Sequence, residues 1–200
     1  MKRTMRPRPI EPALFDAARR GDPVAREQLL DILLPEVLQW CARLGGPKVD
    51  AEDACHDVLI VLLDRLEKVH DEDRLRSWLF SVTRKVLAQH RRRAWVRRWV
   101  PGLTIDAPDT RSAAPDHSAV ISQLGERIRL VLDELPATER ECLVLFDLEE
   151  RPEAEVAEIL DVPIGTARSR VRSARERFRR IARRHSLTGQ VVEMSRDVGP

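Results

Sequence analysis

Along the chain, apolar residues recur at spacings of three and four rather than two. Val58, Val61, Leu62, Leu66 and Val69 follow this rule, as do Leu75, Trp78, Leu79, Val82 and Val86. So do Ile128, Val131, Leu132 and Leu135, and then Val171, Ala174, Phe178 and Ile181. Such spacing lines one face of an α-helix, and alternating strand patterns are absent. The pattern predicts an all-α fold. It lapses over residues 100–118, where Pro101, Pro108, Pro115 and Gly102 sit among small polar residues with no amphipathic period. We therefore expect two small helical domains, 12–98 and 122–186, joined by a flexible linker at 99–121 and followed by a tail at 187–200.

Composition narrows the class. Of 200 residues, 42% are hydrophobic and 34% charged, which is globular and argues against disorder throughout. The longest apolar run, Val58 to Leu63, is far short of the roughly 20 residues that cross a membrane. No membrane insertion is expected. The basic, proline-bearing start is not followed by the apolar stretch of a secretory signal, so the cytoplasm is the expected location. Cys41, Cys55 and Cys142 lack paired ligand spacing and read as buried thiols, with no metal site and no cofactor. Without a Gly-rich phosphate loop, a His-Glu metal motif or a nucleophile elbow, an enzyme is not expected either.

The net charge of +2 conceals strong segregation. Between Asp73 and Asp106 there is no acid, while Arg74, Arg76, Arg84, Lys85, Arg91, Arg92, Arg93, Arg97 and Arg98 accumulate. The stretch from Asp133 to Asp161 is dominated by acids, and a second basic block, "GTARSRVRSARERFRR", follows. Segregation of this kind points to a polyanionic partner.

In "RPEAEVAEILDVPIGTARSRVRSARERF", Val156, Ala157 and Leu160 mark a short helix, and Asp161, Val162 and Pro163 a break. Ile164 reads as an apolar plug, and Gly165 with Thr166 as a turn and N-cap before a second helix. The spacing fits a DNA-binding helix-turn-helix. If Val171, Ala174, Phe178 and Ile181 face inward, Ser169, Arg172 and Ser173 point away, with Arg168 and Arg175 at one flank. That face suits a major groove: arginine forks match guanine edges and phosphates, serine donates or accepts, and Thr166 can meet the backbone. The distal Arg179, Arg180, Arg183 and Arg184 read as complements to the helix C-terminus.

These segments resemble bacterial RNA polymerase sigma factors of the compact extracytoplasmic-function (ECF) type. "LDELPATERECLVLFDLEE" with the helix-turn-helix is similar to the family's region four, and "AEDACHDVLIVLLDRL" to its polymerase-binding helix. "LRSWLFSVTRKVLAQHRRR" resembles its promoter-melting segment. The resemblance implies a chain that binds core RNA polymerase and recognises the minus-ten and minus-thirty-five promoter elements. Asp53, Asp57, Leu59, Leu62 and Arg65 would dock the β′ clamp helices, with the β flap as a further polymerase contact. Arg76, Ser77, Ser81, Arg84, Lys85, Arg91, Arg92 and Arg93 would serve the start-proximal element, where the loop His70 to Ser77 helps hold a flipped base; Trp78 keeps the apolar register and reads as core. An anti-sigma factor is a further implied partner. His56 and Asp57 replace the family's usual Gln-Glu pair, Lys85 stands where Asn is frequent, and Glu150, Pro152 and Glu153 stand where Gly, Ser and an aromatic are common. The alternative is a helix-turn-helix operator-binding regulator, which accounts only for the C-terminal half.

Overall fold

In the computed structural model, residues 8–99 and 119–185 are described, and among them every regular element is helical. The interior of the expected linker and the tail lie outside these residues. The chain divides between Asp106 and Ala107 into two compact units.

The first unit begins with α1 (Pro12–Arg19) and α2 (Pro23–Leu44). Gly21, at φ +96°, makes the tight turn between them. Asp22 then caps α2, its carboxylate accepting the Ala25 N–H at 2.7 Å, and Pro23 supplies the preset first helical residue. Asp50 does the same for α3 (Ala51–Arg65), accepting from the Glu52 and Asp53 amides at 2.9 and 3.0 Å. A short 3-10 turn, Leu66–Lys68, leads to α4 (Glu72–Trp99).

Leu29, Leu33, Val37 and Trp40 of α2 form the core with Val58 and Leu62 of α3 and Leu75, Leu79, Phe80 and Leu87 of α4. Trp40 meets Phe80 edge to face, with centroids 5.2 Å apart and planes at 73°. The buried arc of α4 centres on Thr83, whose hydroxyl bonds to the Leu79 carbonyl at 2.9 Å. Trp78 and Val82 therefore fall at its edge and are half-exposed, not core. Both α2 and α3 pack on α4, and together they select Phe80, Thr83 and Leu87 as the inner row.

The second unit contains α5 (Ala119–Asp133), α6 (Ala137–Leu143), a π-helical turn (Val144–Leu148), α7 (Glu153–Leu160) and α8 (Ile164–Arg184). Buried Arg140 braces the α5–α6 turn, donating to the carbonyls of Asp133 at 3.1 Å and Leu135 at 3.0 Å. After the π turn, Glu150 adopts φ +53°, the left-handed region that glycine tolerates best. The Gly that the resemblance implies at this position would take that backbone without strain. Asp161 ends α7 in the same conformation, and Val162 donates back to the Ala157 carbonyl at 3.0 Å.

α8 presents Ala167, Val171, Ala174, Phe178, Ile181 and Ala182 to the core. Two local expectations are corrected at its start. The helix begins at Ile164 behind an extended Pro163, so Gly165 and Thr166 lie inside its first turn and no side chain caps it. Ile164 is 42% exposed rather than a plug, because the first residue after Pro163 projects outward.

Candidate polymerase and nucleic-acid interfaces

Three surfaces emerge from these helices, two on the first unit and one on the second.

The outer face of α3 carries Asp53, His56, Ile60 and Asp64, all exposed. Ile60 is 64% exposed at its centre, an apolar side chain ringed by polar ones. That is the arrangement of an anchoring residue with a polar rim. Leu62, expected on this surface, is instead fully buried, because it continues the inner row of Ala54, Cys55 and Val58. Leu59 lies half-buried at the flank, and Arg65 is exposed at the helix end. Asp57 turns toward α4, where its Oδ2 lies 2.8 Å from His90 Nε2.

The outer face of α4 forms the second surface. At about 100° per residue, Ser77, Trp78, Ser81, Arg84, Lys85 and Arg92 share one side. Lys85 and Arg92 are exposed and the others half-exposed. Arg93 is exposed at the opposite flank. Arg76 and Arg91, expected in the same set, are turned inward. Arg76 grips Glu36 of α2 with Nε at 3.0 Å and Nη2 at 3.1 Å, and also donates to the Arg8 carbonyl. Arg91 donates to the Leu44 carbonyl at 2.9 Å. These two arginines fix α4 against α2 instead of extending into solvent. The expected loop His70 to Ser77 is also shorter, since α4 starts at Glu72 and Asp71 accepts the Asp73 amide at 3.0 Å.

The third surface is the outward row of α8. Arg168, Ser169, Arg172 and Ser173 are exposed, and Thr166 is half-buried at the first turn. Ser169 donates to the Thr166 carbonyl at 3.0 Å, Arg168 reaches Glu153 at 2.5 Å, and Arg172 lies 3.8 Å from Glu176. These are exposed pairs that cost little to exchange for a phosphate or a base edge. Arg175 is different. Its guanidinium clasps Asp147 of the π turn and lies 5.0 Å over the Phe146 ring, so it braces α8 from inside the unit. The Asp147 bond holds its pKa above the ordinary arginine value.

Of the expected upstream-element residues, the structure thus brings Thr166, Arg168, Ser169, Arg172 and Ser173 together and sets Arg175 apart. All three cysteines are buried, and none is in a disulfide. Burial pushes the Cys41 thiol up to about 12 and the Cys55 thiol up to about 11. Among the described residues no cluster of three metal-ligating side chains occurs, and no helix is long and apolar enough to cross a membrane.

Comparison with known proteins bears on both units. The family described as Sigma-70 region 2 matches residues 29–106, and Sigma-70, region 4 matches residues 125–178. The ECF RNA polymerase sigma factor SigE of Mycolicibacterium smegmatis is 29% identical over 182 residues, covering 89% of this chain and 70% of that protein. The ECF RNA polymerase sigma factor SigW of Bacillus subtilis is 24% identical over 170 residues, covering 81% and 91%. In fold, the chain is similar to the sigma factor RpoE of Bartonella quintana, solved in complex with the anti-sigma factor NepR. The TM-score is 0.61 at 24% identity, over 78% of this chain and 96% of that one.

Proposed function

This chain belongs to the ECF type of RNA polymerase sigma factors and directs promoter-specific transcription initiation, and we propose that it does so through the three surfaces described above. Within residues 12–98, the outer face of α3 docks the β′ clamp helices, with Ile60 as apolar anchor among Asp53, Asp57, Leu59 and Arg65. Leu62 supports that face from the core.

The outer face of α4 serves the start-proximal element. Ser77, Ser81, Arg84, Lys85, Arg92 and Arg93 meet phosphates and base edges of the melted strand, while the half-exposed Trp78 gives an unstacked base an apolar platform. Arg76 and Arg91 hold the helix that presents them. Within residues 122–186, α8 reads the upstream element in the major groove with Arg168, Ser169, Arg172 and Ser173, and Thr166 approaches a phosphate. The β flap is the further polymerase contact of this unit.

The observation that carries this reading is the outward row of α8: exposed arginines and serines on a helix that follows the left-handed Asp161 turn. No catalytic step and no cofactor is part of the proposal. The chain works where RNA polymerase works, in the cytoplasm. RpoE was solved with its anti-sigma factor, and we extend that kind of partner to this chain. The operator-binding alternative leaves the first unit without a role.

Run-off transcription tests the reading. Core RNA polymerase with this chain, on a library of genomic fragments, should produce new starts that share two upstream motifs. Folded protein and active core that together yield no new starts would overturn it.

A further inference from the structure

α8 is longer than groove reading requires. Its 21 residues span about 31 Å, against a major groove about 12 Å wide. The residues from Thr166 to Ser173 fill its first turns, and a second set of arginines follows.

Those distal arginines fall into two groups. Arg177 bonds Glu139 at 2.8 Å, and Arg184 bonds Glu134 at 2.8 Å, so each is tied to the body of the unit. Arg179, Arg180 and Arg183 are exposed, and no carboxylate among the described residues pairs with them. At about 100° per residue, Arg168, Arg172, Arg179 and Arg183 fall within an arc of about 60°. They form one stripe roughly 22 Å long. Complementing the helix C-terminus accounts for charge in the last turn, where Arg183 lies. It does not account for Arg179, nor for the alignment of both with the groove-facing row. Arg168 and Arg172 of the stripe pair with Glu153 and Glu176, whereas the charges of Arg179 and Arg183 are uncompensated among the described residues, and a polyanion on that side relieves them.

We propose that Arg179 and Arg183 bind backbone phosphates flanking the upstream promoter element, on the side where α8 climbs out of the major groove. The inference rests on α8 being the recognition helix. It adds a sequence-independent clamp beyond the bases that the first turns read, a role Arg180 can share from the edge of the stripe.

The test uses the full chain assembled with core RNA polymerase on a promoter duplex found by start mapping. Affinity is measured across a salt series for the wild type, for R179Q/R183Q and for R179K/R183K. Each lost phosphate contact should lower the slope of log K against log salt by about 0.9, so the glutamine variant should lose roughly 1.8. Its binding should fall about tenfold or more at low salt with unchanged start motifs, while the lysine variant keeps most of both. Uncharged methylphosphonate linkages at the flanking phosphates should weaken the wild type and leave R179Q/R183Q unaffected. A wild type that initiates normally beside a glutamine variant of unchanged slope would overturn this proposal alone, and would assign the stripe to another partner such as an acidic protein surface. An equal loss on duplexes trimmed at the upstream element would overturn the flanking position. A wild type with no promoter activity would instead overturn the reading of α8 on which the proposal rests.

Discussion

Arg175 on α8 and Asp147 on the π-helical turn, 28 residues apart in sequence, form a two-toothed ion pair with Nη2 2.5 Å from Oδ1 and Nε 3.1 Å from Oδ2. Both side chains are mostly buried, and the guanidinium also covers Phe146. The pair ties α8 to the π-helical turn. Replacing Arg175 by Ala should destabilise the chain by about 1–2 kcal/mol in urea unfolding, and Lys should not restore it, because an ammonium cannot reproduce the fork. The start motif should survive in Arg175→Lys, whereas Arg168→Ala should relax it.

Ile60 gives a different kind of prediction, one for association without a stability cost. Its side chain is mostly in solvent, so Ile60→Asp should leave thermal unfolding nearly unchanged. Affinity for core RNA polymerase should fall about tenfold or more in a titration with labelled chain. Leu62→Ala should do the reverse, costing about 2–5 kcal/mol of stability through the core.

Arg140 is a buried brace of the second unit. Arg140→Ala would leave the Asp133 and Leu135 carbonyls without its donors and would remove one of the two guanidiniums beside the Asp133 carboxylate, leaving Arg129 at 3.7 Å. Destabilisation of about 1–3 kcal/mol is expected, read by loss of helical circular dichroism at lower urea.

Glu150 predicts a gain. At φ +53° a side chain is strained where glycine is not, so Glu150→Gly should raise stability by about 1 kcal/mol. A rise in the urea midpoint with unchanged slope would show it.

The thiols predict an alkaline limit. Folding raises the pKa values of Cys41 and Cys55 from 9.0 to about 12 and about 11, chiefly through burial. The unfolded chain loses these protons first as pH rises. Their contribution is therefore fully present below pH 9 and is lost progressively toward pH 11–12. Urea midpoints should decline above pH 9, and Cys41→Ala/Cys55→Ala should flatten that decline. Iodoacetamide at neutral pH should label neither thiol until the chain unfolds.

The sequence showed some of this and hid the rest for identifiable reasons. In α8 every residue assigned to the inner row is buried, because arginines and serines interrupt the apolar stripe and fix its phase. In α3 the three-and-four spacing grouped Leu62 with Val58 and Leu66, which are all buried, and it was the resemblance that put Leu62 on the outer face; the run "VLIVLL", apolar at every position, carries no local sign that Ile60 faces outward. For α4 the apolar spacing admitted Trp78 and Val82, and only packing against two helices selected Thr83 as the centre. Ion pairs of long sequence separation, Arg76 with Glu36 and Arg175 with Asp147, leave no local trace, so these arginines read like their solvent-facing neighbours.

The separation of inner and outer rows on α8 also bears on how such a chain changes over generations. Folding depends on Val171, Ala174, Phe178 and Ile181 and on the clasp at Arg175, while Arg168, Ser169, Arg172 and Ser173 carry little of the unit's stability. On the proposed reading of α8, a duplicated copy can therefore drift through new outer residues, and so acquire a new promoter vocabulary, without first passing through unfolded intermediates.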